Sequence, residues 1–386
     1  MPSDTDKRHM AIRVGVPRET AAGERRVAMI PELVLRYEKA GFEVVVESGA
    51  GQGAFYSDAD FSERGARVAS RNEVYEAEIV LKVQPPSSDE IARLKSGTIV
   101  VGFLSPLDSP EISNRLAERG VTAFAVELVP RISRAQTMDA LSAMGSIGGY
   151  RAVIIAADAL PRFFPLLTTA AGTVKPANVL VLGAGVAGLQ AIATARRLGA
   201  RVWGYDIRAE VKEQVQSLGG RFVELDVETQ DSQETGGYAT ALAEEKARRQ
   251  TELLVPHVAA ANVVITTALI PGRPAPVLVT AEAVEGMKPG SVIVDLAAPN
   301  GGNCALTEAG TKVVRNEVTI FGPTNLPAEM PVHASEMYSR TLLALVGEMV
   351  KDGELALDFE DEIIAGACVT HGGRITNERV KTLVTG

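Results

Sequence analysis

The stretch "VLVLGAGVAGLQAIATARRLGARVWGYD", residues 179–206, constrains the fold more than any other part of the chain. A continuous apolar run of buried-strand type leads into Gly183-Ala184-Gly185-Val186-Ala187-Gly188. An amphipathic helical stretch follows, and a second strand ends in Asp206, 18 residues after Gly188. Strand, glycine turn, helix and strand in that order make a parallel unit, because two parallel strands need a long crossover to join them. Each glycine has a physical task. Gly183 permits a tight turn, Gly185 lets the backbone come close to a pyrophosphate, and Gly188 lets the helix pack closely on its strand. The helix N-terminus adds N–H donors and a positive dipole end, so the turn is a candidate anion cradle. A carboxylate at Asp206 accepts bonds from ribose hydroxyls and repels a 2′-phosphate, which favours NAD(H) over NADP(H). Arg208 leaves two roles open, a solvated surface charge or a partner for the phosphate that Asp206 repels.

The rest of the chain repeats this rhythm. Upstream come "AIRVGV", a helical stretch Pro31 to Ala40, "EVVVE", a helix after Ser57, "EIVLKV", "TIVVGF" and a helix over Pro110 to Arg119; downstream come "RFVEL", "NVVITTA", "SVIVDLA" and "VTIFG". Such alternation is that of an α/β protein with parallel sheets, and 386 residues exceed what one hydrophobic core serves. The expected architecture is two doubly wound Rossmann-like domains with a cleft between them. Residues 10–139 plus 327–386 form a discontinuous N-terminal domain, and 140–326 form the dinucleotide domain. The helical run from Ser335 to Asp352 is too small to stand alone and is assigned back to the first domain.

Residues 1–9 lack the apolar core of a signal peptide and are expected to be a disordered extension. Three glycines and Gln190 interrupt the apolar stretch Val179 to Ala195, so no membrane span is expected. With 39 basic against 48 acidic residues the net charge is −9, which disfavours nucleic acid and anionic membrane surfaces as partners. Cys304 and Cys368 are the only cysteines and four histidines are scattered, so neither a disulfide framework nor a metal site is expected. A reducing, cytoplasmic setting fits.

A second stretch, "LVPRISRAQTMDALS" at residues 128–142, gathers two arginines, a glutamine, an aspartate and a serine. Two roles fit it. Ser133 and Gln136 have the S-x-x-Q spacing of a capping box. Alternatively, Gln136, Asp139 and Ser142 recur every three residues beside an apolar stripe of Ala135, Met138 and Leu141, as the wall of a cleft does. Arg131 and Arg134 would then offer charge to a pyrophosphate, and the amide and carboxylate would suit a nicotinamide carboxamide. Ile132 and Ser133 are counted with Arg134 among the cofactor contacts.

"PRISRAQTMDALS", "AAGTVKPANVLVLGAGVAGLQAIATARRLGA", "GGYA", "TTALIPGRPAPVLVT" and "MKPGSVIVDLA" together resemble the NAD(H)-binding component of proton-translocating nicotinamide nucleotide transhydrogenases, from about Ala11 to about Thr370. That family is similar to the alanine dehydrogenases, which share the "GVPRE...ERRVAMIPE" pattern and the "LKV" around Lys82. The resemblance implies that Arg131, Gln136 and Asp139, with Ser142 beside them, stand at the nicotinamide. It implies that Gly183, Gly185, Val186, Gly188, Asp206, Ile207, Arg208, Gly237, Gln250 and Leu269 hold NAD(H), and that the loop carrying Tyr238 closes over it. It further implies a homodimer that works with an NADP(H)-binding domain and a membrane-spanning proton-channel subunit, peripheral on the inner face of the cytoplasmic membrane.

Chemistry separates the two relatives. Alanine dehydrogenases manage protons with a histidine and an aspartate; the corresponding positions here read Leu104-Ser105-Pro106 and Ala298-Pro299-Asn300. Hydride exchange between two nicotinamides requires no such groups. Lys82 and Arg26, which would hold an amino-acid carboxylate, are expected to serve structural salt bridges, and His333 is left outside the site. The acidic segment Asp226 to Arg249 is expected to insert as a strand-poor lid hinged at Gly236-Gly237. Two rivals stand beside the hydride-exchange expectation: an amino-acid dehydrogenase with relocated acid–base groups, and a catalytically silent NAD(H)-binding module.

Overall fold

The structure is a computed structural model that describes residues 12–225, 237–270, 272–351 and 354–385. The extension expected at residues 1–9 lies outside the described residues. The chain divides into two compact units, one running to Met144 and resuming at Pro327, the other Gly145–Leu326. The first division falls inside the helix Ala140–Ala159, not at its start.

The first unit is built on an eight-stranded sheet. Numbered by first residue, its strands run 374, 368, 122, 99, 79, 12, 42, 67. The six from 122 to 67 are parallel, and in their own chain order they read 6-5-4-1-2-3, a doubly wound arrangement. The central strands Ile79–Leu81 and Ile99–Gly102 are nearly unbroken Val, Ile and Leu, and Ile79, Val80, Leu81, Val100 and Val101 are buried, as strands covered on both faces require. Cys368–His371 and Arg374–Ile375 extend the sheet antiparallel beyond Thr122–Ala125. The run expected as helical from Ser335 to Asp352 is a helix over Pro331–Gly347, followed by a strand pair, Val350–Lys351 with Glu354–Leu355. Proline at N1 fixes its start, since a missing N–H costs nothing in the first turn.

The second unit repeats the plan with a seven-stranded sheet. Its strands run 221, 201, 178, 263, 292, 318, 312, parallel except for the last, and the six parallel ones read 3-2-1-4-5-6. The order reverses between Asn178–Leu182 and Val263–Thr266, so the loops leaving those two strands meet at a topological switch point. Val179, Val181, Val263, Ile265, Val292 and Val294 form one side of the core with Ala191, Ile192 and Ala195 of the helix Val186–Arg197.

The segment expected as a strand-poor lid is a helix from Gly237 to Ala260; residues 226–236 and the Tyr238 side chain lie outside the described residues. The run "ATALAEEKARRQTELL" is rich in strong helix formers, and Arg248 pairs with Glu245 and Glu252 one turn either way. Among the described residues one helix, Ala140–Ala159, is long and apolar enough to cross a membrane by length and composition. Arg151 and Asp158 break its apolar run, which hides that property in the sequence. Ala152, Val153 and Ala156 of this helix are fully buried in the second unit's core.

Candidate functional site

In the second unit, the glycine turn shows why each glycine is needed. Gly183 has φ +96°, and a Cβ there would stand 2.6 Å from Thr267 Oγ1. A Cβ at Gly188 would meet the carbonyl oxygen of Gly183 at 1.9 Å, so helix and turn could not close. Around Gly185 the equivalent space holds nothing within 4 Å, which leaves that side of the turn open to an incoming group. Gly185 is also the N-cap of Val186–Arg197, and no side chain caps that helix. The turn thus presents helix N–H groups on an open face.

Asp206 lies beside it at the end of the strand Arg201–Tyr205. Its Oδ2 accepts from Ala184 N at 2.8 Å and from Arg208 Nη2 at 3.0 Å; Oδ1 accepts from Arg208 N and Nε, each at 2.9 Å. Burial alone would raise the Asp206 carboxyl, but the hydrogen bonds and charge of Arg208 and the Ala184 N–H outweigh it and hold it low. Arg208 is therefore paired with Asp206 and is not a free solvated charge. The flanking apolar residues Val186, Ile207 and Leu269 are exposed, Ile207 by 78%. Exposed apolar side chains gathered at polar loops mark ligand surfaces more often than chance. Gly237 opens the helix Gly237–Ala260, and Gln250 is partly exposed upon it.

Three supports here left no recognised mark in the sequence. Thr267 Oγ1 donates to the Gly183 carbonyl at 3.1 Å, pinning the turn from the neighbouring strand. The buried Asn303 side chain accepts from Ala268 N at 2.9 Å and donates to the carbonyls of Ala268 and Pro276 at 2.9 and 2.7 Å. A Cβ at Gly149 would stand 2.0 Å from the Ala187 carbonyl, so the helix Ala140–Ala159 lies flush on the first turn after the glycines. The spacing "GSIGG" inside an apolar helix was the available signal for that approach.

In the first unit, Ser133–Met138 forms a 3-10 turn with Ile132 at its N-cap and no side-chain cap. Of the two roles open to this stretch, the capping box at Ser133 and Gln136 does not form; the cap stands at Asp139 instead. Its carboxylate accepts from Ser142 N at 2.8 Å and Ser142 Oγ at 2.5 Å, starting the helix Ala140–Ala159. The Arg134 guanidinium is held by Glu348 at 3.0 Å and by Asp361, the cap of the helix Glu362–Ala367. Arg131, Ser133 and Gln136 are exposed and Ile132 partly so; the side chains of Arg131 and Gln136 make no hydrogen bond or ion pair among the described residues.

The remnant charge cluster is internally satisfied. Lys82 lies 3.0 Å from Glu19 and 2.7 Å from Glu90, both buried, and Arg26 pairs with Glu24 at 2.6 Å. Burial pushes the Glu19 carboxyl up, while Lys82 and the hydrogen bonds from Lys82, Ser87 and Tyr75 overcome burial at Glu90 and hold it low. Nearby, Leu104 N and Ser105 N both donate to Glu127 Oε1, at 2.9 and 2.5 Å, and Ser105 has φ +48°. Glu127 Oε2 is shut away from solvent with no hydrogen-bond partner among the described residues. Burial pushes this carboxyl up to about 7. Sequence patterning gave no hint of it, since a single Glu in "AVELV" reads as a surface residue.

Two doubly wound sheets, with the glycine turn at a switch point of one, define a class. The family model for the alanine dehydrogenase/PNT N-terminal domain matches residues 15–148, and that for the C-terminal domain matches 152–378. The chain belongs to the alanine dehydrogenase/PNT family. Within it, the chain is 47% identical over 376 residues to the first part of the NAD(P) transhydrogenase alpha subunit of Rhodospirillum rubrum, covering 95% of this chain and 98% of that one. It is 32% identical over 380 residues to the alanine dehydrogenase of Mycobacterium tuberculosis, covering 96% of each. The solved transhydrogenase structure from Sinorhizobium meliloti superposes with a TM-score of 0.83 at 41% identity, over 95% of this chain and 99% of that one.

Proposed function

We propose that this chain is the soluble NAD(H)-binding subunit of a nicotinamide nucleotide transhydrogenase, passing hydride directly to or from NADP(H) held on a separate polypeptide. The observation that carries this is the pairing of an intact dinucleotide turn with the loss of histidine and aspartate at 104–106 and 298–300. A bound nicotinamide supplies or accepts a hydride at C4. The protein's share is placement, because two reacting carbons must be held roughly 3 to 3.5 Å apart. In this proposal the glycine turn and Asp206 serve the nucleotide's phosphates and ribose, and Arg131, Asp139 and Ser142 have the role at the nicotinamide that the family resemblance implies. Gln136, exposed and with no side-chain hydrogen bond among the described residues, reaches the second nucleotide. Arg134, whose guanidinium Glu348 and Asp361 hold, keeps its proposed place among the cofactor contacts with Ile132 and Ser133.

Proton coupling and the peripheral place on the inner membrane face belong to partner subunits in this proposal. A homodimer accords with the isolated hairpin Leu167–Thr169 and Gly172–Val174, every residue of which is exposed. Two lone strands are marginal in water, and Phe163, Leu166 and Val174 leave apolar surface for a second copy to cover.

Stopped-flow transfer from NADH on this protein to NADP+ on a recombinant NADP(H)-binding domain tests the proposal. Rapid transfer needing both proteins supports it. In Gln136→Asn, NADH binding should stay near wild type while the single-turnover rate falls about tenfold or more; an unchanged rate removes Gln136 from the site. A second reading has one observation in its favour. Glu127 is a titratable carboxyl beside the loop where the histidine is missing, so relocated acid–base chemistry has a candidate group. Alanine oxidation by this chain alone, abolished in Glu127→Gln, would establish that alternative and overturn the proposal.

A further inference from the structure

Asp206 has a carboxylate's usual four acceptor positions, and all four are taken. Two are taken by backbone N–H groups, that of Ala184 in the glycine turn and that of Arg208 in the loop after Tyr205. The other two are taken by Nε and Nη2 of the Arg208 guanidinium, at 2.9 and 3.0 Å. A ribose diol also offers two donors, so it can bind Asp206 only in place of that fork. The carboxylate is 8% exposed and the arginine side chain 50%, so the arginine is the partner that can leave.

We propose that Arg208 gates the ribose site and sets its nucleotide preference: its guanidinium occupies the two positions on Asp206 that a ribose diol needs, and must swing out before NAD(H) binds. This rests on the dinucleotide site described above. Displacement subtracts from NAD(H) affinity the strength of a half-exposed bidentate pair. The same displaced guanidinium stands next to the 2′ position, where it offsets the repulsion between Asp206 and a 2′-phosphate. Arg208 thus weakens binding of the right nucleotide and relieves rejection of the wrong one.

Charge and fork separate by substitution. Arg208→Ala removes both; Arg208→Lys keeps the charge but cannot span both carboxylate oxygens. The readout is equilibrium binding of NADH and of NADPH, followed by energy transfer from Trp203, the chain's single tryptophan, or by calorimetry. Arg208→Ala is expected to tighten NADH by about two- to fivefold and to weaken NADPH, widening the preference about tenfold. Arg208→Lys is expected to tighten NADH similarly while leaving NADPH near wild type. Weaker NADH binding in Arg208→Ala would overturn the gate and make Arg208 a direct nucleotide contact. So would a preference unchanged in both variants whose thermal unfolding matches wild type. Wild-type protein that binds neither nucleotide would instead overturn the dinucleotide site itself, and the gate with it.

Discussion

Glu127 keeps a buried oxygen with no hydrogen-bond partner among the described residues, and the ionisation of that group couples folding to pH. Its carboxyl rises from 4.5 to about 7 because burial penalises the anion. Below pH 4.5 folded and unfolded chains both hold the proton, so the group contributes no pH dependence. Between 4.5 and about 7 the folded chain holds a proton that the unfolded chain has released, so stability falls as pH rises. Above that window the loss is complete, at most about 3 kcal/mol. Glu127→Gln, neutral at every pH, should flatten the melting temperature against pH across that window. An unchanged slope would place the titration elsewhere. The single Glu in "AVELV" could not announce this at the sequence level, because its burial depends on Leu104 and Ser105, more than twenty positions away.

Among elements, the helix Ala140–Ala159 gives the sharpest contrast. A methyl at Gly148 would meet only Leu296 Cδ2, at 3.3 Å, and a leucine methyl can give way; at Gly149 it would meet a backbone carbonyl at 2.0 Å, which cannot. Gly148→Ala is therefore expected to be neutral or to stabilise by up to about 1 kcal/mol through helix propensity. Gly149→Ala should cost about 1–3 kcal/mol and weaken NADH binding, because the helix must lift from Ala187. Calorimetric unfolding and NADH titration of the two variants check this, and equal behaviour would mean that the close approach does not matter. The strands and helices with strong local patterns were legible: "TIVVGF" opens with four β-branched residues, and Pro31 and Pro110 mark helix starts. The strand Thr122–Ala125 was missed, since "TAFA" is a strand only because its neighbours bury it. The start of Ala140–Ala159 was misplaced for a related reason. Ser133 and Asp139 are both competent caps, and only the 3-10 geometry between them decides in favour of Asp139.

At the scale of the whole molecule, the α/β architecture with two doubly wound sheets followed from the alternation of apolar runs, while the return of the C-terminal strands to the first sheet left no local mark. The dinucleotide turn was legible because its glycines are demanded by backbone clashes a few residues apart. The fork of Arg208 on Asp206 was not, since two opposite charges two positions apart fit a pair or two solvated groups equally well. One feature of the fold acts before the protein is finished. Thr122–Ala125 pairs on one side with Cys368–His371, which leaves the ribosome roughly 240 residues later. At synthesis rates of about 5–20 residues per second that is a delay of about 10–50 s, during which the nascent chain carries an open strand edge. The contiguous segment Gly145–Leu326 is complete well before then. A chain stopped at residue 360 should accordingly be prone to edge-to-edge association, and light scattering of that truncation against the full chain measures it. The last two dozen residues thus do the work of a closing stitch, and translation time, as much as stability, is a quantity on which this fold depends.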